Sequence, residues 1–272
     1  MKVFCILSDQ RAFRSKSPAM FSWVLKRIGI SAVYVPFNVN PEMIGAAMQS
    51  MRVLNIDGAT ITTPHKETVI PHIDILSEGA NIIGAVNTVV RMGSQLKGYN
   101  TNAIGFMDTL EEQGFDVTGK TALVFGAGGA ARAVVFILNW LRATNIIIAG
   151  RSPESLDKVA RKIRGESALL HTLEGKPVSA NILINATAVS SPDQSPELAD
   201  LAGKLDLQNC ELVVDLNYGY PDNFWLKLAR SKGIPFIDGL APLAHSARRT
   251  LLLWTRVDVE PQEFIQALNA IS

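Results

Sequence analysis

The chain has 272 residues, of which 47% are hydrophobic and 19% charged, and its formal net charge is +1. This composition predicts a globular protein of one large domain or two domains of ordinary size, and we favour two. The near-zero charge gives no support to nucleic acid or an anionic membrane as a partner, and no apolar run is long enough to span a bilayer. The apolar start predicts a strand rather than a signal peptide. With only Cys5 and Cys210, we favour buried thiols in a reducing cytosol over a disulfide, and therefore a cytoplasmic protein.

The first hundred residues predict an α/β unit. Ser17-Pro18 has the form of a helix start, with serine at the cap and proline at the first helical position. That helix is predicted to run to about Ile28, and another follows Pro41. Strands are predicted at 3–7, 32–38 and 58–62, and a hairpin at 86–92 and 95–99. This unit has no dinucleotide-binding fingerprint of its own.

The middle of the chain alternates apolar strands with helical segments, which predicts a parallel, doubly wound sheet. After a helix at 103–113, strands are predicted at 120–125, 145–149, 182–185, 212–216 and 235–238, with helices at 130–141, 154–164 and 223–232. Two last helices, at 242–255 and 261–271, follow this sheet. We expect them to return to the first domain.

A glycine-rich turn lies between the predicted strand at 120–125 and the helix after it. Gly126 allows the tight turn, and Gly128 and Gly129 let backbone amides approach a pyrophosphate at the helix N-terminus. Ala131 stands where the third glycine of a Rossmann fingerprint would be, a position that needs only a small residue. Because a strand precedes and a helix follows, we favour a nucleotide site over an ordinary tight turn.

The end of the next strand indicates which nucleotide binds. An NAD site would place an acidic residue there for the ribose 2′-hydroxyl, but this chain has Arg151 and Ser152. A guanidinium can pair with a 2′-phosphate and stack on adenine, and the serine hydroxyl can donate a further hydrogen bond. The sequence therefore favours NADP. The alternative is that Arg151 is a solvated loop residue.

Polar residues cluster at predicted strand ends and helix starts of the first domain. Ser15 and Ser17 flank a lysine and could hold a carboxylate, and Lys66 follows a Thr-x-Pro turn and could act as acid or base. The Asn and Thr side chains at 60–66, 84–88 and 98–106 suit a polyhydroxylated ring. Each piece also has a plain structural interpretation: Ser17 as a helix cap, Asn87 as a turn residue and Lys66 as a surface charge.

Taken together, these motifs resemble the shikimate dehydrogenase family over almost the whole chain. The matching segments are Ser-x-Ser-Pro at 15–18, Thr-x-Pro-x-Lys at 62–66, Gly-Ala-Val-Asn-Thr at 84–88, Asn-Thr at 100–101 followed by Gly-Phe at 105–106, the glycine turn at 126–130, Asn-Ala-Thr at 185–187, Asp-Leu-Asn-Tyr at 215–218, and Asp-Gly-Leu at 238–240 leading to Leu-Trp at 253–254. The resemblance implies an α/β substrate-binding domain of residues 1–102 and 239–272. It also implies a Rossmann-type NADP-binding domain of residues 103–238.

The family's reaction is reversible hydride transfer between NADPH and 3-dehydroshikimate, and the resemblance implies a role for each matching residue. Lys66 and the residue at position 102 would be catalytic. Substrate contacts would come from Ser15, Ser17, Thr60, Thr62, Asn87, Tyr218 and Ser246. Cofactor contacts would come from Gly126, Ala127, Gly128, Gly129, Ala130, Arg151, Ser152, Asn185, Ala186, Thr187 and Gly239. The resemblance implies no metal site, and we expect a monomer or homodimer.

The chain departs from the family pattern mainly at the expected substrate site. Asn102 replaces the aspartate that partners the catalytic lysine, and an amide cannot exchange a proton at neutral pH. Losing one acid–base group costs roughly a hundredfold to ten-thousandfold in rate, although Asn102 could also serve as a helix cap. Thr60 replaces an asparagine and Ser246 a glutamine. Two further differences are Ser190 for a glycine and Arg14 for a histidine.

Three functional hypotheses follow from the sequence. The first is an NADP-dependent shikimate dehydrogenase that is slow or differently tuned because of Asn102, with Lys66 as the main proton donor. The second is a related dehydrogenase for another cyclic hydroxy acid, such as quinate or an amino-substituted analogue, because Thr60 and Ser246 are shorter than the residues they replace. The third is a protein that binds NADP or a metabolite without catalysis.

Overall fold

The computed structural model describes residues 1–161 and 165–270. The chain divides into two units: the first comprises residues 1–105 and 243–272, and the second residues 106–242. Among the described residues, no helix combines the length and apolarity needed to cross a membrane.

In chain order, the elements before the second unit's sheet are β1 (Lys2–Ser8), α1 (Ser17–Arg27), β2 (Ala32–Asn38), α2 (Ile44–Val53), β3 (Gly58–Ile61), α3 (His65–Thr68), β4 (Ile75–Leu76), α4 (Glu78–Ile83), β5 (Thr88–Met92), β6 (Gln95–Tyr99) and α5 (Thr101–Glu112). The remaining elements are β7 (Thr121–Phe125), α6 (Gly129–Trp140), β8 (Asn145–Gly150), α7 (Pro153–Ala160), β9 (Glu166–Leu169), β10 (Pro177–Ser179), β11 (Ile182–Asn185), α8 (Pro196–Lys204), β12 (Asp206–Gln208), β13 (Leu212–Asp215), α9 (Phe224–Lys232), β14 (Phe236–Ile237), α10 (Leu240–Thr255) and α11 (Pro261–Ala270).

The first unit is built on a six-stranded sheet with the order β2-β1-β3-β5-β6-β4. All neighbouring pairs are parallel except the two that involve β5, which runs antiparallel to β3 and β6. Because β5 alone is reversed, the carboxyl ends of β1, β3 and β6 lie at the same edge as the start of β5. The loops at that edge carry most of the first domain's predicted polar clusters.

The C-terminal helices pack on the first sheet, as predicted. Trp254 of α10 stacks on Phe4 with the ring centroids 4.5 Å apart, and its Nε1 donates a hydrogen bond to the Val89 carbonyl at 3.0 Å. A Cβ atom at Gly58 would lie 2.2 Å from the Trp254 ring, so only glycine fits there. Phe264 of α11 packs edge-on against Phe21 of α1. The burial of these aromatic rings fixes α10 against the sheet, and α10 carries Ser246.

The second unit has the predicted doubly wound parallel sheet, with the order β14-β13-β11-β7-β8-β9. Numbered within this unit, that is the 3-2-1-4-5-6 order of Rossmann folds, and the strand order reverses between β7 and β11. The β7 and β11 strands are fully buried apart from Thr121, which explains their continuous apolar sequences. Ligands of such sheets bind at the carboxyl ends of the strands beside this reversal.

Several local features differ from the sequence predictions. Ser17 is the first residue of α1 rather than its cap, and Lys16 holds the N-cap position, where its side chain does not cap the helix. The sequence pattern does not predict α3, α4, α8 or the short strands β4, β9, β10 and β12, because these elements are too brief or too irregular to show a clear periodicity. The predicted helix ends at 162–164 and at 271 lie outside the described residues. Cys5 and Cys210 are both free thiols, and only Cys5 is fully buried.

Candidate active site

Asn87, Asn102 and Ser246 are joined by hydrogen bonds at the carboxyl edge of the first sheet. Asn87 precedes β5, Asn102 lies in the first turn of α5, and Ser246 lies on α10. The Asn102 Oδ1 atom accepts hydrogen bonds from Asn87 Nδ2 at 2.9 Å and from Ser246 Oγ at 3.0 Å. The fold therefore brings together three predicted site residues that are far apart in sequence.

A cluster of buried hydroxyl groups supports this trio. Thr101 Oγ1 lies 3.0 Å from both Ser246 Oγ and Thr250 Oγ1, and 3.1 Å from Thr88 Oγ1. Thr88 and Thr250 are in turn 3.0 Å apart. Thr250 was not among the residues predicted from the sequence. Its spacing of four residues from Ser246 on one helix would place both on the same face, which is the signal that could have identified it.

Lys66, the predicted catalytic lysine, lies in the short helix α3 beside this group. Its carbonyl accepts the Val86 amide at 2.7 Å, which holds its backbone next to the residue that precedes Asn87. The side chain is half-buried and has no hydrogen-bond or ion-pair partner among the described residues. Burial lowers the pKa of Lys66 below that of a solvated lysine, because the charged form loses hydration. A lysine so placed can hold and release a proton more readily than one at the surface.

The other predicted substrate residues of the first unit occupy loops and strand ends. Thr60 Oγ1 forms a short hydrogen bond with the Tyr34 hydroxyl, so that side chain has an internal partner. Thr62 follows β3, and its amide bonds to the Leu7 carbonyl at 3.1 Å. Ser15 Oγ accepts the Ser17 amide at 3.2 Å, and both serines are half-buried. Arg14, which replaces a histidine of the family, is exposed.

In the second unit, the glycine turn opens onto a cavity of about 900 Å³ at the carboxyl ends of the strands. Six predicted cofactor residues line it: Gly126, Ala127, Gly128, Arg151, Ser152 and Thr187. Gly126 has φ +111°, and a Cβ there would lie 3.0 Å from the Ala186 carbonyl oxygen. A Cβ at Gly128 would meet no atom of the described residues within 4 Å, so the backbone there faces open space. Gly129 and Ala130 begin α6 and place its N-terminal amides at this turn.

Arg151 and Ser152 lie on the cavity wall after β8. Arg151 is exposed and makes no hydrogen bond or ion pair with other described residues, so its guanidinium is available to a ligand. Ser152 caps α7: its Oγ accepts the Ser155 amide at 3.4 Å, which leaves the hydroxyl proton free to be donated. A cation and a donor therefore stand at the end of the second strand, where a 2′-phosphate would lie.

Asn185 shapes the cavity from behind rather than lining it. The residue is fully buried, and its Nδ2 donates to Asp215 Oδ1 at 2.8 Å. Its Oδ1 accepts the Thr187 hydroxyl at 2.7 Å and the Thr187 amide at 3.1 Å, which fixes the loop after β11. Ser190 belongs to the same buried network, since its Oγ accepts Asn217 Nδ2 at 3.0 Å.

Ala186, Gly239 and Tyr218 complete the predicted residues of the second unit. Ala186 supplies the carbonyl that approaches Gly126. A Cβ at Gly239 would lie 2.1 Å from the Leu216 carbonyl oxygen, so close backbone packing after β13 requires a glycine there. Tyr218 is half-buried, and burial, assisted by the charge of Asp238, raises the pKa of its hydroxyl and keeps it protonated.

These features are those of a site that binds a dinucleotide. The turn leaves open space over Gly128 at a helix N-terminus, the cavity is large enough for an adenosine, and an unengaged arginine stands where NADP carries its extra phosphate. The first unit separately holds a half-buried lysine beside a polar cluster. A chain with a dinucleotide domain and such a lysine belongs to the class of NADP-dependent oxidoreductases.

Comparisons with known proteins define the family. Residues 10–89 match the model of the shikimate dehydrogenase substrate binding domain, and residues 109–221 match that of shikimate / quinate 5-dehydrogenase. The NADP(+) shikimate dehydrogenase of Caldanaerobacter subterraneus subsp. tengcongensis is 36% identical, over 89% of this chain and 87% of its own length. The chain belongs to the shikimate dehydrogenase family.

Two solved structures extend the comparison. Shikimate 5-dehydrogenase from Thermus thermophilus, in complex with NADP(H) and shikimate, is 31% identical with a TM-score of 0.87, and all of both chains is covered. The 5-ketofructose reductase of Gluconobacter sp. strain CHM43 is 25% identical with a TM-score of 0.86, covering 100% of this chain and 99% of its own. The same fold thus occurs in a shikimate 5-dehydrogenase and in a 5-ketofructose reductase.

Proposed function

We propose that the chain interconverts 3-dehydroshikimate and shikimate, with Lys66 as its proton-transferring residue. The observation that carries the proposal is the half-buried Lys66 beside the Asn87–Asn102–Ser246 group, in a chain that matches both domains of the family. The NADPH cofactor supplies the hydride when it is bound. Gly126, Gly128 and the N-terminus of α6 hold its pyrophosphate, and Arg151 and Ser152 hold its 2′-phosphate.

Lys66 supplies the acid–base chemistry of the first unit. Reduction of a ketone needs a proton at the developing alkoxide, and an ammonium can deliver that proton and stabilise the negative charge until it does. Its partly desolvated position strengthens this electrostatic effect relative to water. Ser15 and Ser17 hold the substrate carboxylate, and Thr60, Thr62, Asn87, Tyr218 and Ser246 contact the ring. The Asn185 network keeps Thr187 in place at the cavity.

Asn102 limits this chemistry to one titrating group. An amide cannot take the proton from Lys66 or return it, so the lysine acts alone. We expect turnover that is slow for the family, within the roughly hundredfold to ten-thousandfold range of a lost acid–base partner.

A second candidate is the reduction or oxidation of a different cyclic hydroxy acid, such as quinate or an amino-substituted analogue. It is favoured because the Thr60 and Ser246 hydroxyls are both bonded within the protein, Thr60 to Tyr34 and Ser246 to Asn102. Neither side chain is long, so the site has room for another ring substituent. The neighbouring 5-ketofructose reductase is an example of this fold with a different ketone as substrate.

The test is NADP reduction by purified protein with shikimate and with quinate, alongside Asn102→Asp. Turnover of shikimate that rises in the Asn102→Asp variant supports the proposal. Turnover with quinate alone favours the second candidate. Tight NADPH binding with no turnover of either acid by either protein contradicts both and indicates a binding protein without catalysis.

The same proposal extends to the ligand, the oligomeric state and the cellular location of the protein. Its ligand is a small cyclic hydroxy acid, and we propose a monomer or homodimer, which light scattering would determine. A cytoplasmic location is supported by the two free cysteines, which are typical of a reducing compartment. Burial raises the pKa of Cys5 to about 12, so that thiol is protected from oxidation.

A further inference from the structure

The direction of each hydrogen bond around Asn102 follows from one donor whose identity is certain. The backbone amide of Thr101 lies 2.7 Å from Asn87 Oδ1. A backbone amide only donates, so this contact fixes which end of the Asn87 side chain is oxygen. The Asn87 Nδ2 group must then face its other two neighbours, Thr101 Oγ1 and Asn102, both at 2.9 Å.

This orientation fixes the amide of Asn102 in turn. Because Asn87 presents an N–H group, Asn102 must present its oxygen, since the flipped amide would set two donors against each other. Ser246 Oγ is 3.0 Å from the same oxygen and can only donate to it. Ser246 has only one hydroxyl proton, and its hydrogen bond to Asn102 uses it. Ser246 Oγ therefore accepts, and Thr101 Oγ1 donates, in the 3.0 Å contact between them. The oxygen of Asn102 is therefore fully committed to the protein.

The Nδ2 group of Asn102 is consequently the part of this side chain left for a ligand. Among the described residues it has no hydrogen-bond partner, and the side chain is half-buried. Lys66, whose side chain is also unpartnered among those residues, carries only donors in its ammonium form. Lys66 is the proton-transferring residue of the proposed function, and the family resemblance pairs position 102 with it, so both members of this pair present donors.

We propose that Asn102 is a specificity-determining residue that selects a hydrogen-bond acceptor, the carbonyl oxygen of a keto acid, over the hydroxyl of the corresponding hydroxy acid. This inference rests on the proposed function. A ketone oxygen has only lone pairs and satisfies two donors. An alcohol also carries a proton, which finds no acceptor between Nδ2 and an ammonium, and an unsatisfied polar group weakens binding. An aspartate at position 102 would accept that proton and would offer the ketone no donor, which lessens the preference for the ketone.

The experiment measures binding, so it does not depend on turnover. Dissociation constants for 3-dehydroshikimate and shikimate are determined calorimetrically without cofactor, for the unaltered protein and for Asn102→Asp and Asn102→Ala. We expect the ratio by which the protein binds the keto acid more tightly than the hydroxy acid to fall about threefold to tenfold in Asn102→Ala, which is the change expected from one hydrogen bond. The ratio should fall further in Asn102→Asp.

Asn55→Asp is the matched control, because Asn55 is exposed in the turn before β3, at the opposite edge of the sheet. It should leave the ratio unchanged.

A second readout covers the case in which Asn102→Asp does not fold. In difference infrared spectra, the ketone stretch of bound 3-dehydroshikimate should lie at lower frequency in the unaltered protein than in Asn102→Ala, because Nδ2 donates to that oxygen. If both acids bind and neither their affinity ratio nor the stretch changes with position 102, the donor assignment is overturned while the proposed function stands. If neither acid binds, the proposed function fails, and this inference fails with it.

Discussion

The nucleotide cavity of the second unit and the polar cluster of the first unit are built in opposite ways. At the glycine turn the cavity is lined by backbone, and the one arginine in its lining, Arg151, has no partner among the described residues. In the polar cluster, side chains from β5, α5 and α10 bond to one another, and little beyond Lys66 and the Asn102 amide group remains unengaged. A backbone site keeps its chemistry when side chains change. A side-chain network changes the chemistry of its neighbours with each substitution.

Lys66→Met should produce the largest effect and affect only the polar cluster. Methionine keeps the length of the side chain but removes the proton donor, so kcat for ketone reduction should fall roughly a hundredfold to ten-thousandfold. The dissociation constant of NADPH, measured by fluorescence titration, should stay the same. A variant that keeps its full kcat would remove Lys66 from the mechanism.

Arg151→Ala should affect only the nucleotide cavity. A charge-assisted hydrogen bond is worth about 1.5–3 kcal/mol, so NADPH affinity should fall roughly tenfold to hundredfold, while NADH affinity changes little. Arg230→Ala, which removes an exposed arginine on α9, is the control. If the unaltered protein binds NADH more tightly than NADPH, the assignment of Arg151 to a 2′-phosphate is wrong.

Gly126→Ala tests whether the cavity depends on its backbone. With φ at +111° and a carbonyl oxygen 3.0 Å from the added Cβ, alanine should cost about 1–3 kcal/mol of unfolding free energy and weaken NADPH binding. Gly119 also has a positive φ, +76°, but a Cβ there would meet no atom within 4 Å in the described part of the chain. Gly119→Ala should therefore cost only about 1–2 kcal/mol and leave NADPH binding intact. Equal loss of NADPH affinity in both variants would argue against a specific role for the turn.

The contrast between the two regions also explains what could be predicted from sequence. The glycine turn, the β7–α6 unit and Arg151 follow from local rules about φ, helix N-termini and strand ends. The partners of Ser246 could not be predicted in this way, because Thr101 is 145 positions away and meets it only after α10 has packed on the sheet. The family resemblance identified Asn102 as a departure, but which way its amide points depends on Asn87 and Thr101 in three dimensions. Asn185 is a similar case: its motif predicted a cofactor contact, whereas its side chain is bonded to Asp215 and Thr187 behind the cavity.

The pH dependence of ketone reduction should show the effect of having no carboxylate at position 102, beside Lys66. Burial lowers the pKa of Lys66, so the rate of reduction, which needs the ammonium, should decline at a lower pH than a solvated lysine would give. Asn102→Asp adds a negative charge nearby and should raise this pKa, moving the alkaline limb of the rate profile to higher pH; Asn55→Asp should not. The folded chain releases this proton before the unfolded chain does, so stability should rise as pH increases between the two pKa values. An alkaline limb that does not move in Asn102→Asp would place the two groups too far apart to interact.

Thr250→Val should have the smallest effect, and it tests whether the hydroxyl cluster positions the site or only stabilises the fold. Valine keeps the shape but removes a buried hydroxyl that bonds to Thr88 and Thr101, at a cost of about 1 kcal/mol in urea unfolding. Thr101 also holds Ser246 and Asn87, so a loosened Thr101 should raise KM for the substrate with little change in kcat. Thr250→Ser restores the hydroxyl and should restore KM even where it leaves a small cavity. If stability falls but KM does not change, the cluster is structural, and Asn87 and Ser246 hold Asn102 in place without help from Thr250.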